Sequence, residues 1–341
     1  MRVAVLSPVW FPVPPPGYGG IEWIVSLLAD GLADAGHDVS LFASGDSHTR
    51  AKLESVFPTA PSERIGMTFW ELQHALHCFS RQEAFDVIHD HTGLMGLAIG
   101  SLLETPLVHT VHGPLTGEPG ELYDRVVAMA PRAHLVSLSL NQRLPKPDLP
   151  WLANVPNALD LSVYPYRRER GDYLLFLGRM SPDKGAHRAV TIALEAGLPL
   201  KIAGKNAEPA EQAYFDALVR PHLGGEIEYV GEVTHGEKVE LLQHARATLF
   251  PIEWEEPFGL VMIESMACGT PVIATRWGAV PEVMEHGRTG IIVDDWRDTA
   301  AALPDADALD SGVMRQEVVD RFSPQRMVAD YVAAYEAALA T

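Results

Sequence analysis

Short apolar runs alternate with longer amphipathic segments along the chain. An apolar run at 2–9 is followed by a Pro- and Gly-rich loop at 11–20, a segment of helical periodicity at 21–37 and a second apolar run at 38–44. This pattern predicts a strand–helix–strand unit at the start of the chain. The alternation then continues to the end, and strands that alternate with helices at this spacing predict parallel, doubly wound sheets.

The pattern restarts near residue 172, which predicts two Rossmann-like domains of α/β class. The first series has predicted strands at 2–9, 38–44, 85–93, 106–113, 133–140 and 151–160, and helices at 21–37, 66–83, 94–104 and 119–130. The second series has predicted strands at 172–180, 198–204, 227–233, 247–252, 270–275 and 290–294. We therefore predict domains at 1–162 and 163–322, followed by a helical segment at 323–341 that could pack on either domain.

The segment 250–274, FPIEWEEPFGLVMIESMACGTPVIA, predicts strand, loop, helix and strand. The helix is expected to begin near Pro257, because proline favours the first turn of a helix, and to end at Gly269. Glu256 would then lie at the start of the helix and Glu264 two turns inside it. Helical side chains tilt towards the N-terminus, so both carboxylates can address one ligand in front of the helix.

The same ligand would meet free backbone amides at the start of this helix, those of Phe258, Gly259 and Leu260. Two carboxylates beside exposed amides suit a hydroxyl-rich neutral group next to an anionic one. A sugar nucleotide combines these two groups.

Polar residues also follow other predicted strands, at the sheet edge where parallel sheets bind ligands. Arg179 and Lys184 flank the turn GRMSPDKG between a buried strand and a helix. Two cations there could neutralise a leaving diphosphate without a divalent metal. An exposed salt-bridging turn is the alternative interpretation.

Three glycines in GYGGIEW precede the first predicted helix, and the last two are Gly19 and Gly20. Glycine lets the backbone approach a phosphate, and a helix start supplies amides. A hinge loop explains the glycines equally well, and the dinucleotide fingerprint GxGxxG is absent.

Histidines end two further predicted strands. His89 and His91 end one of them, and His109 and His112 end the next. A single histidine is more often a packed residue than a catalyst, but polar groups at two strand ends of one sheet edge favour a site.

Composition excludes several classes of protein. The net charge of −19 argues against nucleic acid and anionic membranes as partners. No segment approaches ~18 consecutive apolar residues. Two distant cysteines indicate a reduced, cytoplasmic protein. No spacing predicts a metal site; the DxD sequence at Asp305 and Asp307 follows no apolar strand, and we interpret it as a solvated loop.

Taken together, these residues resemble glycosyltransferase family 4, retaining enzymes of GT-B architecture in which two Rossmann-like domains face a central cleft. The pattern E-x7-E falls on Glu256 and Glu264, and other family elements follow in the family's order over nearly the whole chain. They include GGIEW, DVIHDH, NALD, LGRMSPDKG, GEV, GAVPEV and the final FSPQRM.

The resemblance implies a role for each matching residue. Glu264 would hold the ribose of the donor nucleotide. Glu256 and the backbone amides of residues 258–260 would hold the transferred sugar. Arg179 and Lys184 would bind the diphosphate. Across the cleft, the amides of Gly19 and Gly20 would also bind the diphosphate, and His112 would lie near the reacting carbon. Glu232 and Val233 would lie near the nucleotide base. The acceptor side would be formed by His89, His91 and His109.

The resemblance also implies retention of configuration, a UDP-hexose donor such as UDP-glucose, a small-molecule or glycan acceptor, no divalent metal, and a last helix that crosses back to the first domain. The sequence departs from the family in two places: NALD stands where NGVD is common, and Gly278-Ala279 where Gly-Gly is common. The first domain also lacks the basic amphipathic patch of membrane-associated relatives, which argues against a lipid-linked acceptor.

Three other interpretations stay open at this point. One is a nucleotide-sugar epimerase or hydrolase of the same fold, and another is a sugar-nucleotide-binding protein without catalysis. A nicotinamide oxidoreductase is disfavoured because the dinucleotide fingerprint is missing.

Overall fold

The computed structural model of the protein describes residues 1–130 and 132–341. The chain divides into two compact units. The first comprises Met1–Ala158 together with Pro324–Thr341, and the second comprises Leu159–Ser323. The division after Ala158 lies four residues before the predicted boundary at 162, and the terminal segment groups with the first unit.

The first unit is built on a seven-stranded parallel sheet. Its strand order is β3-β2-β1-β4-β5-β6-β7. The strands are β1 (Arg2–Leu6), β2 (Asp38–Phe42), β3 (Lys52–Glu54), β4 (Val87–Asp90), β5 (Leu107–Thr110), β6 (Ala133–Ser137) and β7 (Trp151–Asn154). The helices of this unit are α1 (Gly20–Asp34), α2 (Thr68–Phe79), α3 (Leu94–Gly100), α4 (Gly117–Met129) and the terminal α12 (Pro324–Leu339).

Helices cover this sheet on both faces, which explains why the central strands β4 and β5 are buried along their whole length. On one face α2, α3 and α4 enclose a core with alternate strand residues such as Leu6 and Ile88. On the other face α12 packs on α1, β5 and β7. The close approach of α1 and α12 requires glycine at Gly31, because a Cβ there would lie 2.5 Å from Cγ2 of Val328.

The second unit is built on a six-stranded parallel sheet of order β10-β9-β8-β11-β12-β13. Its strands are β8 (Tyr173–Leu177), β9 (Leu200–Ala203), β10 (Ile227–Gly231), β11 (Ala245–Phe250), β12 (Val272–Thr275) and β13 (Ile291–Val293). Its helices are α5 (Ala186–Ala196), α6 (Pro209–Leu218), α7 (His235–His244), α8 (Leu260–Cys268), α9 (Val280–Val283), α10 (Leu303–Ala308) and α11 (Ser311–Arg321).

Both sheets reverse their strand order once. In the first unit the reversal lies between β1 and β4, and in the second it lies between β8 and β11. In doubly wound sheets the crevice outside the carboxyl ends of these two strands is the usual place for a ligand. Each unit therefore has one such edge, and most of the polar residues singled out from the sequence lie there.

Two local predictions were wrong. Helix α8 begins at Leu260, not near Pro257, because Gly259 takes a left-handed conformation (φ 85°) that interrupts the helix. The DxD residues are not a solvated loop, since Asp305 and Asp307 lie in α10 and Asp307 forms an ion pair with Arg246 at 2.6 Å. Within the described chain, no helix is long and apolar enough to cross a membrane.

Candidate active site

At the carboxyl edge of the second sheet, Lys184 and Glu256 form an ion pair across the strand reversal. Lys184 lies in the loop after β8 and Glu256 in the loop after β11, and their Nζ and Oε2 atoms are 2.5 Å apart. Trp254 Nε1 donates to the same oxygen at 3.0 Å, and the ammonium group lies 4.4 Å from the Trp254 ring centroid. The Glu256 carboxylate is thus held from one side, and only 8% of the residue is exposed.

The backbone around Glu256 is fixed by Gly278. A Cβ at position 278 would lie 2.3 Å from the Glu256 nitrogen and 2.4 Å from its carbonyl oxygen, so only glycine fits. The Ala279 amide donates to that carbonyl at 2.9 Å. The Gly-Ala pair that departs from the family pattern therefore supports the carboxylate.

Backbone amides precede α8 without partners. In the described chain the N–H groups of Phe258, Gly259 and Leu260 donate to no protein acceptor. Unpaired amides at a helix start favour an anion, because the helix dipole adds to their partial charge. These amides follow Glu256 in the chain after Pro257.

Glu264 lies inside α8 and is held by two residues that sequence reasoning missed. Its Oε1 accepts hydrogen bonds from the Tyr164 hydroxyl at 2.7 Å and from Lys238 Nζ at 2.5 Å. Burial, and then the charge of Glu264, raise the pKa of Tyr164, so its hydroxyl stays a donor. Both donors use one oxygen, which leaves Oε2 for a ligand hydroxyl.

Arg179 follows β8 and is half-buried. No hydrogen bond or ion pair holds its guanidinium among residues 1–130 and 132–341. Glu232 and Val233 follow β10, the first exposed and the second half-buried. Their implied role beside a nucleotide base stays a prediction.

In the first unit, the glycine loop ends at the start of α1. Gly19 precedes the helix with φ 140° and Gly20 is its first residue. A Cβ on Gly19 would lie 2.8 Å from Cγ of Pro15 and 2.9 Å from Oε2 of Glu22. Packing within the loop therefore requires glycine at 19, independently of any phosphate.

Two of the predicted histidines belong to a buried hydrogen-bond network. His89 bonds to the Tyr335 hydroxyl at 2.7 Å through Nδ1 and to Thr110 Oγ1 at 2.8 Å through Nε2. His109 bonds to Asp90 at 2.7 Å and to the Tyr123 hydroxyl at 3.0 Å. Neither ring keeps a nitrogen for a ligand, so both histidines position their neighbours.

The other two histidines lie nearer to the sheet edge and bond to each other. His91 Nδ1 and His112 Nε2 are 2.9 Å apart. Burial, and then the neighbouring His109, lowers the pKa of His112 to about 3. His112 is therefore neutral near pH 7 and can offer a ligand one hydrogen bond from Nδ1, but not a positive charge.

Two family models match consecutive parts of the chain. The model described as Glycosyltransferase Family 4 matches residues 18–163, and the model described as Glycosyl transferases group 1 matches residues 165–320. The chain belongs to glycosyltransferase family 4. It is a glycosyltransferase of GT-B architecture, as the resemblance had implied.

Individual relatives agree with this assignment. D-inositol 3-phosphate glycosyltransferase of Pseudarthrobacter chlorophenolicus is 29% identical over 89% of this chain and 87% of its own. The crystal structure of AviGT4, a glycosyltransferase involved in avilamycin A biosynthesis, has a TM-score of 0.72 and 29% identity and covers 100% of this chain and 98% of its own. HepE of Anabaena in complex with UDP-glucose shares the fold, with a TM-score of 0.75, 19% identity and coverage of 98% and 99%.

In the ranges 1–130 and 132–341, no group of three or more His, Cys, Asp or Glu residues could hold a metal ion. Cys78 and Cys268 are both free and buried, and burial raises the pKa of Cys268 to about 12.

One further acid of this glycosyltransferase lay inside a predicted motif without being singled out. Glu22, in the first turn of α1, is only 4% exposed. Its carboxylate bonds to no described group except its own backbone amide. The signal available in the sequence was its position directly after the glycine loop, in GGIEW.

Replacing Glu22 with glutamine is expected to stabilise the protein at alkaline pH. Burial raises the pKa of Glu22 from 4.5 to about 7, so the native state holds a proton that the unfolded state has released. The free energy of unfolding therefore falls as the pH rises between these two values. We expect Glu22→Gln to gain roughly 2–3 kcal/mol at pH 8 and under about 1 kcal/mol at pH 5.

Urea unfolding at the two pH values measures this difference. Glu118→Gln is the matched control, since Glu118 occupies the first turn of α4 but is exposed. An equal gain at both pH values would contradict a buried, ionisable Glu22.

Proposed function

We propose that this family 4 enzyme is a retaining, metal-independent hexosyltransferase that moves glucose from a UDP-sugar to a hydroxyl group of a small-molecule or glycan acceptor. The observation that carries the proposal is the Lys184–Glu256 pair at 2.5 Å, next to three unpaired amides at the strand reversal of the second sheet. Cations and amides suit a diphosphate, and a held carboxylate suits sugar hydroxyls.

In the proposed reaction the bond between the anomeric carbon and the phosphate oxygen breaks, and its electron pair stays on the leaving diphosphate. Lys184 and Arg179 would stabilise the negative charge that grows there. The amides of 258–260, which the resemblance assigns to the transferred sugar, would also face this charge, because unpaired amides at a helix start favour an anion. Glu256 would accept hydrogen bonds from the sugar hydroxyls and orient the ring.

The acceptor oxygen then forms the new bond on the face that the phosphate leaves, and its proton passes to the departing phosphate oxygen. Attack from this face retains the configuration without a covalent intermediate on the enzyme. His112, which is neutral near pH 7, would donate one hydrogen bond near the reacting carbon.

Glu264 would bind the ribose through Oε2, while Tyr164 and Lys238 hold the carboxylate in place. UDP and glucose are supported by the resemblance and by the fold neighbour whose structure contains UDP-glucose. A relative of the same family is a phosphatidyl-myo-inositol mannosyltransferase, so donors with other bases and sugars belong in the test.

Thermal-shift screening against UDP, GDP and ADP sugars tests the donor. We expect the largest rise in melting temperature with UDP-glucose, and a transferred glycoside when acceptors are then supplied. A larger shift with a GDP or ADP sugar would contradict the UDP assignment. Epimerised or hydrolysed donor as the only product, with every acceptor, would favour the alternative activities instead.

Chelation is expected to leave turnover unchanged. The diphosphate charge is assigned to Lys184, Arg179 and backbone amides, so no divalent cation should be needed. Initial rates with excess EDTA, compared with rates in added Mg²⁺ or Mn²⁺, measure this. Activity that disappears with EDTA and returns with Mn²⁺ would show that a divalent metal neutralises the diphosphate charge.

A further inference from the structure

Among the buried polar groups of the first unit that have no hydrogen-bond partner on another residue in the described chain, three lie around the strand reversal of its sheet. They are Ser7 Oγ, His91 Nε2 and the carboxylate of Glu22. The three residues are 0%, 1% and 4% exposed. Buried polar groups normally find a partner, and one left unpaired lowers stability. Three at one edge of a sheet indicate that a ligand supplies the missing hydrogen bonds.

These groups lie at the strand reversal of the first sheet. The register pairs Leu6 with Asp90, and the His91 amide donates to the Leu6 carbonyl at 2.9 Å. Ser7 and His91 are therefore neighbours just beyond the ends of β1 and β4, and paired residues of adjacent strands face the same side of a sheet. Helix α1 follows β1 through the 7–19 loop, so Glu22 in its first turn lies at the same carboxyl edge.

Glu22 is buried to a similar degree as the carboxylates assigned to the donor. It is 4% exposed, compared with 8% for Glu256 and 6% for Glu264. Its Oε2 lies close to Gly19, because a Cβ on that glycine would be 2.9 Å away. The carboxylate thus lies beneath the glycine loop.

The loops that follow β1, β4 and β5, the strands around the reversal of the first sheet, contain no lysine or arginine. The cations in the described loops after its other strands are Arg50, Arg64, Arg143 and Lys146, and Arg64 lies 5.8 Å from the Trp70 ring centroid. Arg50 pairs with Asp34 at 2.7 Å, Arg143 donates to Ser137 Oγ at 2.7 Å and lies over the Trp151 ring, and Lys146 pairs with Asp124. An acceptor phosphate would meet Glu22 without a compensating charge.

We propose that this edge binds an uncharged polyol acceptor, that Glu22 accepts a hydrogen bond from one of its hydroxyl groups, and that Glu22 discriminates against phosphorylated acceptors. A hydroxyl group can both donate and accept, so it also suits Ser7 Oγ and His91 Nε2. The inference rests on the proposed function, because it names the class of its acceptor. It sets this chain apart from the relative named for D-inositol 3-phosphate.

Acceptors in matched pairs test the proposal with the full chain and UDP-glucose, or the sugar nucleotide that the thermal screen selects. The pairs are glucose with glucose 6-phosphate, myo-inositol with its 1-phosphate, and sucrose with its 6-phosphate. At pH 8, where Glu22 is ionised, we expect wild-type kcat/KM to be at least about tenfold higher for the neutral member, since like charges in a buried site repel. In Glu22→Gln this ratio should fall to within about threefold of one, and the KM of the neutral acceptor should rise.

Glu118→Gln is the control and should keep the wild-type ratio. Three results would overturn the proposal: a wild-type preference for the phosphorylated member, an unchanged ratio in Glu22→Gln, or no transfer to any neutral acceptor while UDP release from the donor is measurable. Failure of the proposed function looks different, because then no sugar nucleotide shifts the melting temperature and no UDP is released.

Discussion

Lys184→Ala is expected to lower kcat/KM roughly 100–1000-fold, equivalent to about 2.7–4 kcal/mol of transition-state stabilisation. The Lys184 ammonium is held 2.5 Å from Glu256 and 4.4 Å from the Trp254 ring centroid. It is thus pre-positioned for the charge that grows on the leaving diphosphate, and its loss should affect kcat more than KM. Steady-state kinetics with saturating acceptor, and far-UV circular dichroism for the fold, measure the two effects separately.

A matched ion pair elsewhere in the chain provides the control. Lys52 pairs with Glu54 at 2.6 Å but is largely exposed and distant from the strand reversals, so Lys52→Ala should keep wild-type turnover. Arg179→Ala, which removes the other cation after β8, should resemble Lys184→Ala. Near-wild-type rates in both site variants would refute the assignment of these residues to the diphosphate.

Glu264→Ala is expected to weaken donor binding roughly 10–100-fold with a smaller change in kcat. Hydrogen bonds to a charged group contribute about 1.5–3 kcal/mol, and a ribose contact is made equally in ground and transition states. Calorimetric titration with UDP and with UDP-glucose measures the change. Because the ribose belongs to both ligands, both dissociation constants should rise by the same factor.

The comparison of the two ligands separates the roles of the two acids. Glu256→Ala should weaken the binding of UDP-glucose more than the binding of UDP, since the implied partner of Glu256 is the transferred sugar. Glu195→Ala, an exposed acid near the end of α5, is the control for Glu264→Ala and should bind both ligands normally. Wild-type affinity for UDP in Glu264→Ala would remove Glu264 from the ribose site.

Elements that depend on many residues could be predicted from the sequence. A helical terminal segment was expected at 323–341, and α12 spans Pro324–Leu339, because its apolar residues recur over more than four turns. The strand–helix alternation specified both parallel sheets in the same way. Strand β3 was missed, since Lys52–Glu54 has three residues and no apolar run.

Details that depend on one residue's conformation or on distant partners could not be predicted. The start of α8 is set by the left-handed backbone at Gly259, which outweighs the preference of Pro257 for a first turn. Glu264 finds Tyr164 at a sequence separation of 100 residues and Lys238 at 26. His89 finds Tyr335 at a separation of 246. The sequence around a residue carries no pattern that identifies hydrogen-bond partners so far away in the chain.

The second unit is an insertion within the first, because the first resumes at Pro324 after leaving at Ala158. The two ends of the insertion adjoin, since the Leu159 amide donates to the Phe322 carbonyl at 2.8 Å. A segment with adjoining ends can be excised as one cassette, and a short linker can close the chain that remains. This glycosyltransferase is therefore suited to exchange of its whole second unit, and under the proposed function such chimeras would keep one acceptor edge and take a new sugar nucleotide.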